Sequence, residues 1–482
     1  MSQQTGNRPE NEPSGTTTGV APGDFAVDVG PRSVREAFVA YGQKVRGGDV
    51  GALPALLGIV VLLAVFNEAS PVFLTIGNLA NVPAQAAATA LIAMGLVFVL
   101  LLGEIDLSAG TASGVCAGTM ALALNREGDL QAALGSGTFA TTIVLMLAAV
   151  GLAAWSRLWL PVGIVGAGTV LLLTGAGSHV VVAIALAISV GVAIGTLTGF
   201  LVARVGIPSF VVTLALFLTW QGVLLKLIGT GNAIPVREFE VINGLANKNL
   251  APVYGWLFLA VTVGSYVAYT VIRSIRRRAE GLSAEPLGYV LARAAALTAI
   301  GAFGVYFLNL ERSPNPEVAS IRGMPYIVPI VILLMIFWTI VLTRTAFGRH
   351  LYAVGGNTEA ARRAGIDVAK MRMAAFMICS GMAALGGIVA ASKLGGVPAD
   401  AGGGNQLLFA VGAAVIGGTS LFGGRGRPRD AVLGALVIQL IPNGLGLTDL
   451  DSSYNFILTG LVLLLAASVD ALSRKRAAVA GR

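Results

Sequence analysis

The sequence has little charge, few cysteines and few histidines. Only 12% of its 482 residues are Asp, Glu, Lys or Arg, whereas soluble domains carry about 25%, so an ordinary soluble protein is excluded. Two cysteines and two isolated histidines exclude a disulfide framework, a metal site and a histidine-based catalytic or redox set. What the chain does have is 55% hydrophobic residues and 63 glycines. This composition is typical of a polytopic membrane protein, where small residues let helices approach closely.

Fourteen apolar segments recur along the chain, most of them near the length of a membrane span. They lie near 52–68, 84–103, 108–125, 139–155, 158–175, 179–203, 209–230, 254–273, 288–309, 324–343, 373–393, 406–424, 430–449 and 455–472. With both termini in the cytoplasm, most of the 32 basic residues fall on the inner side, as the positive-inside rule requires. The sequence therefore predicts an all-α, polytopic integral membrane helical bundle. Some glycine-interrupted segments are expected to be short or re-entrant.

Three regions follow from this pattern. Residues 1–50 are predicted to be a cytoplasmic, partly disordered tail, and residues 33–41 lie either along the membrane surface or in solvent. Residues 51–473 form the transmembrane domain, with a cytoplasmic loop at 344–372, and residues 474–482 form a basic cytoplasmic tail. Gly191, Gly195 and Gly199 form a small-xxx-small row, which predicts close helix packing.

The loop at 344–372 contains the pattern of a short helix. Asn357 is a good N-cap, Glu359 lies in the first turn where an acid is favourable, and Gly365 is placed to end the helix. A short, capped helix of this kind is suited to docking on a soluble partner. A plain basic loop that fixes the topology explains the same residues, and both interpretations stay open at this point.

Several motifs resemble those of membrane permease subunits of ATP-driven sugar importers of the ribose/xylose/galactose type. Residues 355–366 read G-x-N-x-E-A-A-R-x-x-G-I, like the family's coupling segment, and Gly103–Ser108 resemble its G-G-I-D-L-S signature, with Glu104 in place of the usual glycine. Three further stretches resemble its P-S-F-I-V-T-L, glycine-rich and N-G-L segments: 207–214, 415–426 and 443–445. The segments near 139–175 and 254–309 are extra to a ten-helix core. The second of them, with its basic turn Arg276–Arg278, resembles the xylose permeases.

The resemblance implies a bacterial inner-membrane permease that moves a monosaccharide, xylose or another pentose, by alternating access. It also implies a homodimer on two ATPase subunits, fed by an extracytoplasmic sugar-binding protein, with membrane lipid around it and no nucleic acid. ATP and Mg belong to the ATPase, since this chain has no G-x-x-x-x-G-K-[ST] phosphate loop; the chain itself is expected to be no enzyme and to bind no cofactor or metal. The implied coupling residues are Gly355, Asn357, Glu359, Ala360, Ala361, Arg362 and Gly365, and the implied gating glycines are Gly417, Gly418, Gly423 and Gly424.

Polar residues within or beside the apolar segments are candidates for the substrate pathway. They are Gln85, Asp106, Ser108, Ser209, Thr213, Trp220, Gln221, Asn405 and Asn443. Each has a structural alternative: Asp106 and Ser108 can cap the next helix, Trp220 can belong to an interfacial aromatic belt, and loop polarity explains the amides.

Other functions remain as alternatives. A permease of the same superfamily for branched-chain amino acids, an autoinducer or a nucleoside fits the same motifs. A gradient-driven secondary transporter usually carries an ionisable residue near mid-membrane, and no convincing one is present. A membrane enzyme is disfavoured by the lack of a catalytic set.

Overall fold

The computed structural model describes residues 51 and 53–448, except 128, 176–177 and 282–286, and scattered residues outside this range. These are residue 42 and residues 451, 453–454, 456–461, 464–465, 467–468 and 471. The predicted tails at 1–50 and 474–482, including the amphipathic piece at 33–41, thus lie outside the described residues, except for residue 42.

The described chain is almost entirely helical. The first ten helices are α1 Leu53–Ala69, α2 Ile76–Leu101, α3 Ala109–Asn125, α4 Leu130–Trp155, α5 Trp159–Thr174, α6 Val180–Phe200, α7 Ser209–Ile228, α8 Glu240–Asn247, α9 Pro252–Ala279 and α10 Leu287–Asn309. The remaining six are α11 Ile327–Arg344, α12 Ala346–Gly356, α13 Thr358–Arg363, α14 Val368–Leu394, α15 Gln406–Gly417 and α16 Pro428–Leu445. A π-helical turn at Leu201–Val205 extends α6. Two short strands, β1 Ala233–Pro235 and β2 Gly396–Pro398, pair antiparallel with Ala233 opposite Pro398.

The predicted all-α membrane bundle is confirmed. In the described part of the chain, eight helices are long and apolar enough to cross a membrane, and α1, α5 and α15 are shorter apolar helices. Most segments match the predicted ranges to within about six residues, and the three largest differences are at the ends of α2, α4 and α15. Helix α2 begins at Ile76 rather than 84, α4 begins at Leu130 and kinks at Gly135, where φ is 73°, and α15 ends at Gly417. In the last predicted segment, the described residues between 453 and 471 are helical.

Helices α2 and α14 form the centre of the bundle. Of the most apolar stretch of α2, 94% is buried, and α14 packs against α2, α3 and α6. The glycine row of α6 explains the α6–α14 contact. A Cβ on Gly191, Gly195 or Gly199 would lie 2.6 Å from Ser380 O, 2.4 Å from Phe376 O and 2.9 Å from Met373 Cα. Only hydrogen fits at these positions, so the predicted packing role of the row is confirmed.

Two ends of the bundle can be distinguished. The loop end carries α12 and α13, which connect the last residue of α11 to the first turn of α14. The ribbon end carries β1, β2 and α8. Helix α7 runs between them: its first residue, Ser209, lies beside the turn that follows α2, and β1 comes shortly after its last residue, Ile228.

Candidate functional site

Helix α13 is a short helix with a well-formed N-cap and an exposed face. The Asn357 side chain accepts a hydrogen bond from the Ala360 amide at 2.9 Å, which satisfies one of the free donors of the first turn. Glu359 pairs with Arg362 at 3.1 Å and with Arg363 at 3.4 Å. These pairs are more than half exposed and hold the helix only weakly. They leave a charged surface that is free to meet another protein.

Helix α13 ends at a glycine, as the sequence predicts. Gly365 has a φ of +82°, a left-handed conformation that glycine adopts without steric cost. The Gly365 amide donates to Arg362 O at 3.0 Å and the Ile366 amide donates to Ala361 O at 3.1 Å, which closes the helix. Ala361 is the one residue of α13 that is buried against the body of the protein.

Four glycines connect the loop to the central helices; we call Gly103, Gly355, Gly423 and Gly424 the glycine junction. A Cβ on Gly355 would lie 1.9 Å from Leu101 O, the carbonyl at the end of α2. The Gly424 amide donates to the same carbonyl at 2.9 Å, and a Cβ on Gly423 would lie 3.0 Å from Gly103 N and 3.1 Å from Gly355 O. The backbones of the loop, the end of α2 and the turn after α15 therefore touch directly.

A half-buried hydroxyl strengthens this connection. The Tyr352 hydroxyl on α12 donates to Gly426 O at 2.7 Å. Burial raises the pKa of the Tyr352 hydroxyl, so the group stays protonated and remains a donor at physiological pH. The loop is thereby fixed to the glycine-rich turn by a second contact, one helical turn before Gly355.

The turn between α2 and α3 is held from two sides. Asp106 Oδ1 accepts from the Ser108 amide at 2.9 Å and from the Ser108 hydroxyl at 2.6 Å. This geometry closes the turn that precedes α3, so Asp106 has a structural role. Ser108, at the N-cap of α3, makes no side-chain capping bond, so the sequence-based alternative holds for Asp106 alone. Across from it, Thr213 Oγ1 donates to Ile105 O at 3.2 Å and Ser209 Oγ accepts from the Ile105 amide at 3.4 Å. Four of the predicted pathway residues thus meet at one turn.

Glu104, the departure from the family motif, has a partner that sequence reasoning missed. Arg372 Nε on α14 lies 3.0 Å from Glu104 Oε1, with the two side chains 30% and 14% exposed. The pair joins the turn after α2 to the helix that directly follows the loop. The available signal was the acid itself, because an acid among apolar segments needs a cation nearby, but the sequence does not specify which of the many arginines supplies it.

Two more predicted pathway residues meet near the ribbon end. The Asn443 amide on α16 donates to Asn78 Oδ1 at 2.9 Å and to Gln85 Oε1 at 3.1 Å, while Asn78 donates back to Asn443 Oδ1 at 2.9 Å. The amides of α2 and α16 satisfy one another, and this pairing fixes the contact between the two helices.

The other three predicted pathway residues lie apart from these clusters. Trp220 is 7% exposed within an apolar cluster, so its ring lies inside the protein and away from the interfacial aromatic belt. Gln221 Oε1 lies against Gly403, 2.6 Å from where a Cβ would stand. Asn405 precedes α15 without a side-chain capping bond. The nine predicted pathway residues are therefore distributed over three places, and their contact with a solute stays a prediction.

The glycine-rich segment combines tight packing with left-handed backbone. A Cβ on Gly417 would lie 1.8 Å from Asp430 O, at the contact of α15 and α16. Gly418, Gly423 and Gly424 have φ values of 117°, 89° and 76°. This backbone path ends α15 and returns the chain to the glycine junction. The gating role predicted for these glycines stays a prediction.

Comparisons with known proteins agree with these features. A family model described as "Branched-chain amino acid transport system / permease component" matches residues 78–467. The chain belongs to this permease family. The permease is also similar to two proteins of Escherichia coli K12. It is 32% identical to the xylose transport system permease protein XylH, over 84% of this chain and 87% of XylH, and 28% identical to the ribose import permease protein RbsC, over 86% of this chain and 92% of RbsC.

A third relative is the XylH protein of Haemophilus influenzae Rd, at 28% identity over 87% of the permease and 96% of the relative. No solved structure was found to match the permease significantly. The resemblance to ribose- and xylose-type permeases is therefore confirmed over most of the chain. The protein is a multi-pass membrane permease and not an enzyme.

Proposed function

We propose that this permease is the membrane subunit of an ATP-driven importer of xylose or another pentose, working by alternating access. The similarity to XylH and RbsC supports the class of solute. The observation that carries the mechanism is α13, a capped and mostly exposed helix that directly follows α12. Near the end of α12, Gly355 joins the loop to the ends of the central helices through the glycine junction.

The proposed docking surface is the exposed side of α13, with Glu359, Ala360 and Arg362. A separate ATPase binds here, and its closure on ATP and Mg pushes the loop. Because the Gly355 backbone touches Leu101 O and the Gly424 amide, the push reaches α2 and the α15–α16 turn without an intervening side chain. Direct backbone contacts transmit displacement well because packed interiors are stiff.

The solute side is proposed to open at the ribbon end. A cavity of about 450 Å³ lies there between the end of α7 and the two strands, lined by Leu225, Thr230, Asn232, Pro398 and Asp400 among others. An extracytoplasmic sugar-binding protein releases its sugar into this opening. Of the acids near the α2–α3 turn, Glu104 pairs with Arg372, and Asp106 closes the turn through Oδ1. The Asp106 side chain is fully buried, and its Oδ2 has no hydrogen-bond partner among the described residues. This arrangement favours an uncharged solute over an amino acid, which needs a counter-charge.

The assembly proposed is a homodimer of this chain on two ATPase subunits in the bacterial inner membrane, with the loop end and both termini in the cytoplasm. The basic residues of the loop end support this orientation, since positive charge accumulates on the cytoplasmic side. The native mass of the complex purified with its ATPase tests the proposed stoichiometry of two permease chains and two ATPase subunits.

The docking proposal is tested with Ala360→Glu. Ala360 is exposed, so the change leaves the fold intact but introduces an acid into the docking surface. We expect loss of co-purifying ATP hydrolysis and at least a tenfold fall in uptake of labelled xylose. The matched control is Ala319→Glu, an exposed alanine between α10 and α11 at the other end, which should leave both unchanged. Equal ATPase recovery in the two variants would show that α13 is not the docking element.

Competition for uptake of labelled xylose distinguishes a pentose permease from an amino-acid permease. Unlabelled xylose, ribose and leucine are each offered in excess to cells that carry the permease and its partners. Competition by the pentoses alone supports the proposal. Competition by leucine alone would favour the amino-acid transport that the family description names.

A further inference from the structure

The α9–α10 hairpin stands apart from the bundle over most of its length. Only 6% of the most apolar stretch of α9 and 17% of that of α10 are buried. The hairpin is attached at the ribbon end, where Val305 and Leu308 pack with Ala80 and Met324. Toward its other end, Ile272, Ile275 and Leu291 are among the exposed apolar side chains. This part of the hairpin is not covered by the described part of the chain.

Five arginines lie toward the free end of this hairpin or at the adjoining end of α11; we call Arg273, Arg276, Arg277, Arg293 and Arg344 the arginine patch. Four belong to α9 and α10, and Arg344 is the last residue of α11, directly before the loop. The Arg344 guanidinium lies 5.6 Å from the centre of the Tyr269 ring, and the Arg293 guanidinium lies 5.6 Å from that of Tyr266. The rings position these cations without neutralising them.

No carboxylate among the described residues is close enough to pair with the arginines of the patch. None of the five arginines forms an ion pair within the part of the chain that the structure describes, although Glu280 follows them by one turn. The Arg277 Nε is shielded from solvent and has no hydrogen-bond acceptor among those residues. An unpaired buried donor is unfavourable, so this end of the hairpin is suited to an added anion.

At the attached end of the hairpin, by contrast, the charged groups have partners within the chain. There, Glu311 accepts hydrogen bonds from the Ser320 hydroxyl, from the amides of Ser313 and Ile321 and from Arg322, which lies 2.7 Å away. The Ser320 hydroxyl and these amides hold the pKa of Glu311 well below its usual range. Arg312 donates to Gly323 O at 2.6 Å. At this end the chain satisfies its own charges, which it does not do at the patch.

We propose that the arginine patch binds the headgroup of an anionic phospholipid. The phosphate lies among the guanidinium groups, and the acyl chains lie along the exposed apolar side chains beside them. The charged headgroup and the apolar acyl chains of one lipid thus each meet a surface of the matching character, and these two surfaces adjoin. Arginine suits this task because its fork of donors fits phosphate oxygens, and basic groups at helix ends on one side of a membrane recruit anionic lipids. The site does not depend on which solute the permease carries.

The test compares two charge-matched double variants of the full chain. The patch variant is Arg276→Gln with Arg277→Gln. The control is Arg157→Gln with Arg204→Gln, two exposed arginines at the loop end. Arg157 follows Ser156, whose hydroxyl donates to Met373 Sδ at 3.2 Å. Arg204 lies about one turn after Gly199, where a Cβ would stand 2.9 Å from Met373 Cα. Each protein is exchanged from detergent into equal mixtures of phosphatidylglycerol and phosphatidylcholine with the same acyl chains. Retained lipids are then counted by native mass spectrometry.

We expect the unchanged chain and the control to retain phosphatidylglycerol at least fivefold over phosphatidylcholine, and the patch variant to lose this preference. The double variant Arg276→Lys with Arg277→Lys keeps the charge and should retain most of the preference for phosphatidylglycerol, which separates binding from misfolding. Equal retention of both lipids by the unchanged chain, or equal loss in the patch variant and the control, would overturn the proposal. Displacement of the lipid by millimolar inorganic phosphate alone would also overturn it, because the site would then be one for free phosphate.

Discussion

The α6–α14 contact and the α9–α10 hairpin are both built from apolar, glycine-containing helices, but they differ in what surrounds their glycines. On α6, a methyl group added at Gly195 would lie 2.4 Å from a carbonyl oxygen of α14. On α9, a methyl group added at Gly264 would meet nothing within 4 Å. The first region is specified by the approach of one backbone to another. In the hairpin the tightest glycine, Gly301, meets the flexible end of a side chain instead, with Leu259 Cδ1 at 2.4 Å from where a Cβ would stand.

This difference shows where function is constrained. The central helices and the glycine junction form one stiff body, in which a displacement at the loop is passed on. The inserted hairpin makes few contacts with that body and presents charge and apolar surface to its surroundings. The hairpin therefore can vary without disturbing the junction, and it is free to interact with lipid.

The largest effect is expected from Gly195→Ala. A new methyl group against Phe376 O forces α6 and α14 apart and costs about 3 kcal/mol, as overpacking in a dense core does. Thermal unfolding in detergent, followed by the monodisperse fraction on a sizing column, measures the loss. The matched change Gly264→Ala should leave the midpoint unchanged or slightly higher, since alanine favours the helix. Similar midpoints for the two variants would contradict the packing difference described above.

The next effect concerns transport rather than folding. In Gly355→Ala the new methyl group meets Leu101 O, so the loop moves away from the end of α2. We expect labelled xylose uptake to fall at least tenfold. The neighbouring change Gly356→Ala, where a methyl group meets nothing within 4 Å, should keep near-normal uptake. If both variants transport equally well, the junction does not carry the motion of the loop.

The smallest effect is expected at the Glu104–Arg372 pair. Glu104→Gln and Arg372→Gln each leave a charge of low exposure unpaired and should lower the free energy of unfolding by about 1–2 kcal/mol. The double variant should recover about 1 kcal/mol of the summed loss, as measured by a double-mutant cycle. Arg344→Gln, at an arginine without a carboxylate partner among the described residues, should change stability by less than about 0.5 kcal/mol. Strict additivity of the two Gln changes would contradict an interaction between Glu104 and Arg372.

Local features were well predicted from the sequence. Asn357 and Gly365 define α13 because capping depends on neighbouring residues alone. The row of Gly191, Gly195 and Gly199 indicated a helix contact because four-residue spacing places small residues on one face. The start of α2 at Ile76 was missed by eight residues, because the residues before 84 are less apolar and are made helical by packing.

The sequence by itself determined that this is a multi-pass helical membrane protein, where most of its apolar helices lie, and where the capped loop helix begins and ends. These properties depend on local apolar length and on neighbouring residues. Only the tertiary structure decided that Arg372 pairs with Glu104, that Asn443 pairs with Asn78 and Gln85, and that Gly355 touches the end of α2. Each of these contacts joins residues more than 200 positions apart, and which of several similar side chains meets which is set by how the helices pack.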